Sequence, residues 1–243
     1  MTRTSARSTA ANGCLLCGAP LRYAEQASTH TCALCGATAQ SEAACTAGHY
    51  VCDRCHECGA LDLIERTCCA TAETHPIRLA ASLMAQPQIH MHGPEHHFLV
   101  PAVLLTTFLN VAGRAQEKPK LLAQARRRAD QVPGGFCGFH GTCGAGIGVG
   151  IFVSVATGAT PLSTSAWRLA NASTARALAR IAANGGPRCC KRDTFHALLE
   201  AVEIVREALQ VALPLEGAVR CTFHDQNREC LREQCAFFPS AAQ

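Results

Sequence analysis

The sequence carries little charge of either sign. Twenty-two basic and 18 acidic residues among 243 leave a formal net charge of +4, and a field that weak does not indicate a nucleic-acid partner. The only basic run, Arg126-Arg127-Arg128 with Lys118 and Lys120 before it, has no aromatic residue interleaved to stack on bases and reads as a solvated helix face. A long unbroken apolar run is lacking too. Phe98–Ala112 is too short to cross a bilayer and contains Pro101, and Gly144–Leu162 holds five glycines, so both are expected as buried helices and no membrane partner is expected. Met1–Asn12 has no apolar core segment, which predicts no secretory signal and a reducing cytoplasm around the thiols. Convincing strand patterns are nearly absent outside one short module. With 48% hydrophobic residues the chain has the composition of a globular protein, and the expected fold is a mostly α-helical body with a small N-terminal zinc-ribbon-like β module.

Cysteine is what the chain has in excess: seventeen, ten of them between Cys14 and Cys69. In a reducing compartment, closely spaced thiols are more often metal ligands than disulfides. Cys14-x2-Cys17 and Cys32-x2-Cys35 have zinc-ribbon spacing, with Gly18 and Gly36 placed to take the positive φ that such turns often need. The stretch Gly18–Thr31 is long enough for a hairpin that returns the second pair. Cys45, His49, Cys52 and Cys55 then make a complete set of three sulfurs and one nitrogen, suited to a second tetrahedral zinc. Two other readings use the same residues. Cys52, Cys55 and Cys58 have the two-residue gaps of an iron–sulfur run, and a cross-brace would pair Cys32 and Cys35 with Cys52 and Cys55. The cysteines thin out at Thr71–Pro76, which divides a double zinc-binding module, residues 12–70, from an α-helical cysteine- and glycine-rich domain, residues 76–240.

Within that domain the three-and-four spacing of apolar residues predicts helices over Ile77–Gln86, from Pro94-Glu95 through Phe108, over Pro119–Asp130, Ile151–Thr157 and Ser165–Ala183. Pro101 is expected to shorten or kink the second of these. A last, strongly amphipathic helix, with Phe195, Leu198, Leu199, Val202, Val205 and Leu209 on one face, is expected to be capped by Asp193 or Thr194 and to stop before Pro214.

Cys137 and Cys143, the doublet Cys189-Cys190, and the tail residues Cys221, Cys230 and Cys235 are the thiols available for chemistry. Those at turns opening a helix, with Lys191 and Arg192 nearby, are placed to become thiolates. His96 and His97 are candidate acid and base, and His92 with His96 a candidate ligand pair; a solvated loop is the bland alternative. Gly93-Pro94 rules out the continuous helix of a zinc protease. His140, inside the glycine cluster, is the strongest candidate base.

Cys143-Gly-Ala-Gly, Ala156-Thr-Gly-Ala-Thr-Pro161 and Gly186-Pro-Arg-Cys-Cys-Lys-Arg192 resemble the iron–sulfur-dependent serine dehydratase and cysteine desulfidase group over roughly Gly135–Leu209. The resemblance implies a [4Fe-4S] cluster with one open iron, with Cys143 matching the first ligand and Cys190 or Cys189 the last. The middle ligand of that family has no counterpart before Cys189, which leaves Cys137, the doublet or the tail to supply it. Nearly the whole chain, through His-Gly-Pro-Glu-His-His97, Cys137-Gly-Phe-His-Gly-Thr-Cys-Gly144 and Gly186-Pro-Arg-Cys-Cys-Lys-Arg192, is also similar to a family of uncharacterised bacterial and archaeal cysteine-rich proteins, which implies no established activity.

The expectation is therefore a metal-binding protein with two structural zinc sites and an iron–sulfur or thiolate site formed by Cys137, Cys143, Cys189 and Cys190. It would act on a small molecule as a lyase or sulfur-handling enzyme. His140, His96 or His97 would move the proton, and Lys191 or Arg192 would bind a carboxylate. The alternative is a non-catalytic accessory protein that docks on a partner enzyme through its zinc module and passes it metal or sulfur.

Overall fold

The computed structural model describes Cys14 and residues 19–33 and 36–239, with 54–58 described by backbone alone. Among the described residues, eight α-helices, three short 3-10 turns and one two-stranded sheet make up the regular structure, which is the helical body and small β module expected. The strands β1 (Leu21–Thr31) and β2 (Thr38–Cys45) are antiparallel, with Leu21 opposite Cys45 and Thr31 opposite Thr38. Gly18–Thr31 is thus not a hairpin in itself. Its described part is mostly one strand, and Cys32 lies just past that strand's far end.

Helix α1 (Asp53–Ala70) begins next to Cys52 and ends in the core, where Leu61, Ile64 and Cys68 are buried. Helix α2 (Pro76–Met84) starts with proline at a first-turn position, where the missing N–H costs nothing. Helix α3 (Glu95–Val111) is apolar on all sides, and a helix of that kind is stable only when surrounded. It packs against α1, α2, α4 (Lys118–Ala129), α6 (Gly144–Thr157) and α8 (Cys190–Ala208). Pro101 lies inside it, and the helix continues for ten residues beyond.

Helix α6 starts seven residues before the expected Ile151, and four of the clustered glycines are part of its front half. They come in two interleaved pairs four residues apart, so each pair lies along its own face. A Cβ on Gly144 or Gly148 would strike His97 or Pro101 of α3, and one on Gly146 or Gly150 would strike Leu178 or Thr174 of α7 (Ser165–Ala182). Helix α6 is therefore packed closely between two neighbours, and it ends as expected at Gly158, whose φ is +65°.

The start of α8 differs from expectation. Its cap is Cys189, whose sulfur accepts from the backbone N–H of Arg192 at 3.5 Å, while Asp193 is held inside the first turn by Arg192 Nε at 3.0 Å. The chain beyond α8 has no strand and only two short 3-10 turns among the described residues. No helix among the described residues is long and apolar enough to cross a membrane.

Candidate functional site

The N-terminal module is built from turns that repeat one closure. Cys14 N–H bonds to Ala19 O and Cys32 N–H to Ala37 O, both at 2.8 Å, and Cys45 N–H bonds to His49 O at 3.0 Å. Gly36 and Gly48 take the left-handed φ, +71° and +86°, that folds the second and third of these turns. Thr46 N–H to Pro20 O joins the first turn to the third, and Ala33 N–H to Tyr50 O joins the second to the segment before α1. Cys14, Cys45 and His49 consequently offer three ligand atoms within 4.8 Å of one another, with both cysteines buried. The backbone N–H of Ala47 points at the Cys45 sulfur at 3.2 Å, and that of Cys52 at the Cys32 sulfur at 3.4 Å. Cys14 and Cys45, assigned to different sets by spacing, thus lie together, and Cys32 lies with Cys52. Cys17 and Cys35 fall outside the described residues, as does the side chain of Cys55.

Between this module and the helical body runs a seam. Its larger cavity, about 720 Å³, is lined by Tyr23 of β1, Cys137 of α5 (Phe136–Phe139), Cys143 before α6, the apolar face of α7, and Arg188, Arg192 and Asp193. An adjoining cleft of about 350 Å³ takes in Cys190, His92, His97, Cys137 and His140, with Cys14, Cys45 and His49 on its opposite wall. Cys137, Cys143 and Cys190 are close enough for each neighbour's charge to matter, Cys143 facing both of the others. The Cys143 sulfur is 3.9 Å from Asp193 Oδ2. Burial, reinforced by Asp193, pushes the Cys143 thiol up to about 12, and burial pushes Cys190 up as well. As thiolates these sulfurs need a cation beside them, and a bound metal is one that also displaces the protons.

The other predicted residues take separate places. His97 gives its Nδ1–H to Val132 O at 2.9 Å, which leaves Nε2 as the acceptor, beside Gly144 at the start of α6. His140 is exposed and packs at a tilt of 60° against Phe136, ring centres 4.4 Å apart. His96 is sealed in the core, bridging Thr194 Oγ1 and His90 O, and burial lowers it to about 3. Lys191 is also sealed in. Its Nζ donates to Met84 O at 2.9 Å and Ile89 O at 3.0 Å, which pins the end of α2, and burial lowers it to about 8. Arg192 spends Nε on Asp193 and Nη2 on the carbonyls of Gly185 and Pro187. Cys189 turns away from the seam to face the C-terminal tail.

Arg188 is the residue that sequence reasoning missed. It hydrogen-bonds the Tyr23 hydroxyl, lies 5.1 Å from the centre of that ring, and stands at the seam's mouth. Nothing in its local sequence marks it, because its partner is 165 positions away.

No curated protein and no solved structure matches the chain. Nothing in these comparisons supports the likeness to iron–sulfur-dependent dehydratases. Residues 64–238, from the middle of α1 through the seam cysteines to the tail, match the model of a family of unknown function, DUF5714. The match spans well over half of the chain, and the protein belongs to that family.

Proposed function

We propose that the protein is a metal-binding enzyme whose N-terminal module is held by zinc and whose helical body carries a thiolate-bound iron–sulfur centre at the seam, acting on an anionic small molecule. The observation that carries this reading is that Cys137, Cys143 and Cys190, from three separate segments, line two adjoining cavities that share Cys137 and the basic side chain of Arg188. In the module, one ion would be bound by Cys14, Cys45 and His49, for which the sequence offers Cys17 as a fourth ligand. A second would use Cys32 and Cys52, with Cys35 and Cys55 the candidates to complete it. At the seam, Cys137, Cys143 and Cys190 would hold a cluster, and such a group would supply Lewis-acid chemistry toward a hydroxyl or thiol leaving group. Arg188 would bind a substrate carboxylate, and His97 Nε2 is the acceptor best placed to take a proton. A lyase or sulfur-transfer reaction fits those roles.

The test is purification under nitrogen followed by assay of zinc, iron and acid-labile sulfide. Iron and sulfide that fall by one centre in Cys143→Ser while zinc stays are the expected result. A colourless protein with zinc alone would refute the enzyme reading and favour the accessory one, for which the exposed strand β1 supplies a docking edge.

A further inference from the structure

The tail Val211–Pro239 is irregular, yet Phe237 packs it against Phe195 and His196 of α8, and it carries three cysteines. Cys221, Cys230 and Cys235 line a third cavity, and the fourth cysteine on its wall is Cys189. The rest of the lining is largely apolar, with Met91, Phe223, Phe237 and Phe238 among it. Cys189 feels the charge of Cys221, and Cys221 that of Cys235 and Cys230. Neighbours in the chain, Cys189 and Cys190 therefore serve different cavities, one facing the tail and the other the seam.

We propose that Cys189, Cys221, Cys230 and Cys235 form a four-thiolate site for a thiophilic metal, separate from the seam and from the N-terminal module, and that this metal fastens the tail to the start of α8. Three of the sulfurs already accept backbone N–H groups: Arg192 to Cys189 at 3.5 Å, Phe223 to Cys221 at 3.3 Å and Arg232 to Cys230 at 3.4 Å. Ala47 makes the same kind of bond to Cys45 in the N-terminal module. Such donors favour sulfur as an anion, as does the positive end of α8 beneath Cys189. Metal loading would release the thiol protons to water.

All four cysteines are free of disulfides. A bond between Cys221 N–H and Phe237 O, 2.7 Å, closes the tail into a loop that carries its three cysteines. Only soft metals suit four sulfurs, either one zinc ion or an iron–sulfur cluster. No three of these sulfurs lie within 4.8 Å of one another, whereas a tetrahedron of 2.3 Å bonds to one zinc has edges of about 3.8 Å. A single ion would therefore draw the sulfurs inward, and a cluster would need less movement.

The experiment compares full-length protein, prepared without oxygen, with Cys221→Ser, Cys230→Ser, the double variant of these two, and Cys143→Ser. Zinc, iron and sulfide per chain are measured, with helix content by circular dichroism and tryptic cleavage after Arg220, Arg228 and Arg232 as further readouts. Each single tail variant should lose the same one centre, the double variant should lose no more, and the tail should be cut several-fold faster with helix content unchanged. Loss of zinc alone would make the centre a single ion; loss of iron with sulfide would make it a cluster. Wild-type metal content in the tail variants, or losses that add in the double variant, would overturn the site. Should a serine variant fail to fold, faster tail cleavage on stripping metal from the wild type, reversed by adding it back, supports the site, and unchanged cleavage counts against it. Cys143→Ser reports on the seam alone and should keep the tail centre.

Discussion

Arg188, just before α8, hydrogen-bonds the hydroxyl of Tyr23 on β1 and stacks over its ring, so one residue of the helical body holds the N-terminal hairpin across the seam. A cation over an aromatic ring at a half-exposed site contributes about 0.5–1 kcal/mol. Arg188→Ala should therefore speed amide hydrogen exchange in β1 and β2 by about two- to fivefold while leaving α3 and α8 unchanged. Unaltered exchange in the hairpin would show that the contact does not hold it.

Gly144 has no room for a methyl group. A Cβ there would lie 2.0 Å from His97 Cδ2, and that ring is fixed by its bond to Val132 O. Gly144→Ala should cost about 1–3 kcal/mol in thermal or denaturant unfolding. Gly138→Ala, with nothing within 4 Å of its Cβ, is the control and should change little. Adding His97→Ala to Gly144→Ala should recover part of the loss, because it empties the space the methyl group needs.

His96 should make the fold sensitive to acid. Burial holds it neutral down to about 3, whereas the unfolded chain takes up a proton near the ordinary value of 6.5. Between those values the unfolded state binds more protons, so stability falls as pH drops through that window, by about 1.4 kcal/mol per pH unit at most. His196, lowered to about 4 by burial and then by Arg180, adds in the same direction. His96→Gln should be less stable than wild type at pH 7.5, with a shallower decline between pH 6.5 and 4 in urea titrations. Parallel declines would mean that His96 does not titrate on unfolding.

Cys45→Ser and His49→Ala should each lower the zinc content by one ion and abolish exchange protection in β1 and β2, while the far-ultraviolet signal of the body persists. Full zinc content in either variant would remove Cys14, Cys45 and His49 from the list of ligands.

Most helices were legible in the sequence, because a buried helix writes its period in apolar residues. Phe195, Leu198, Val202 and Val205 of α8 are all buried, as their spacing predicts. Helix α1 was not read, because its cysteines suggested metal and hid that Leu61, Ile64 and Cys68 already keep helical spacing. Cys68 is a core hydrophobe there, its thiol pushed up to about 12 by burial. The front half of α6 was missed because glycine has low helix propensity, and only the close approach of α3 and α7 accounts for it there.

The sites were legible as lists of residues, and of the groupings only the cross-brace reading put Cys32 with Cys52. A two-residue gap between cysteines specifies a turn, not which other turn it faces. That is decided by pairings such as Leu21 with Cys45 and by the path of the chain after β2. The doublet Cys189-Cys190 shows the same limit, since adjacent residues at a helix start point to different sides. Lys191, expected to bind substrate, is turned into the core by the two carbonyls that accept its hydrogen bonds.

Helix α1 has eighteen residues, about 27 Å at 1.5 Å per residue. Its first turn follows directly on Cys52, and its last is clamped under α3, where Asn110 Nδ2 and Lys118 Nζ both donate to Thr71 O. It is a stiff rod with a thiol anchor at one end and the central packing at the other. Cys52 and the packing under α3 are therefore the two ends of one continuous helix, with no hinge between them.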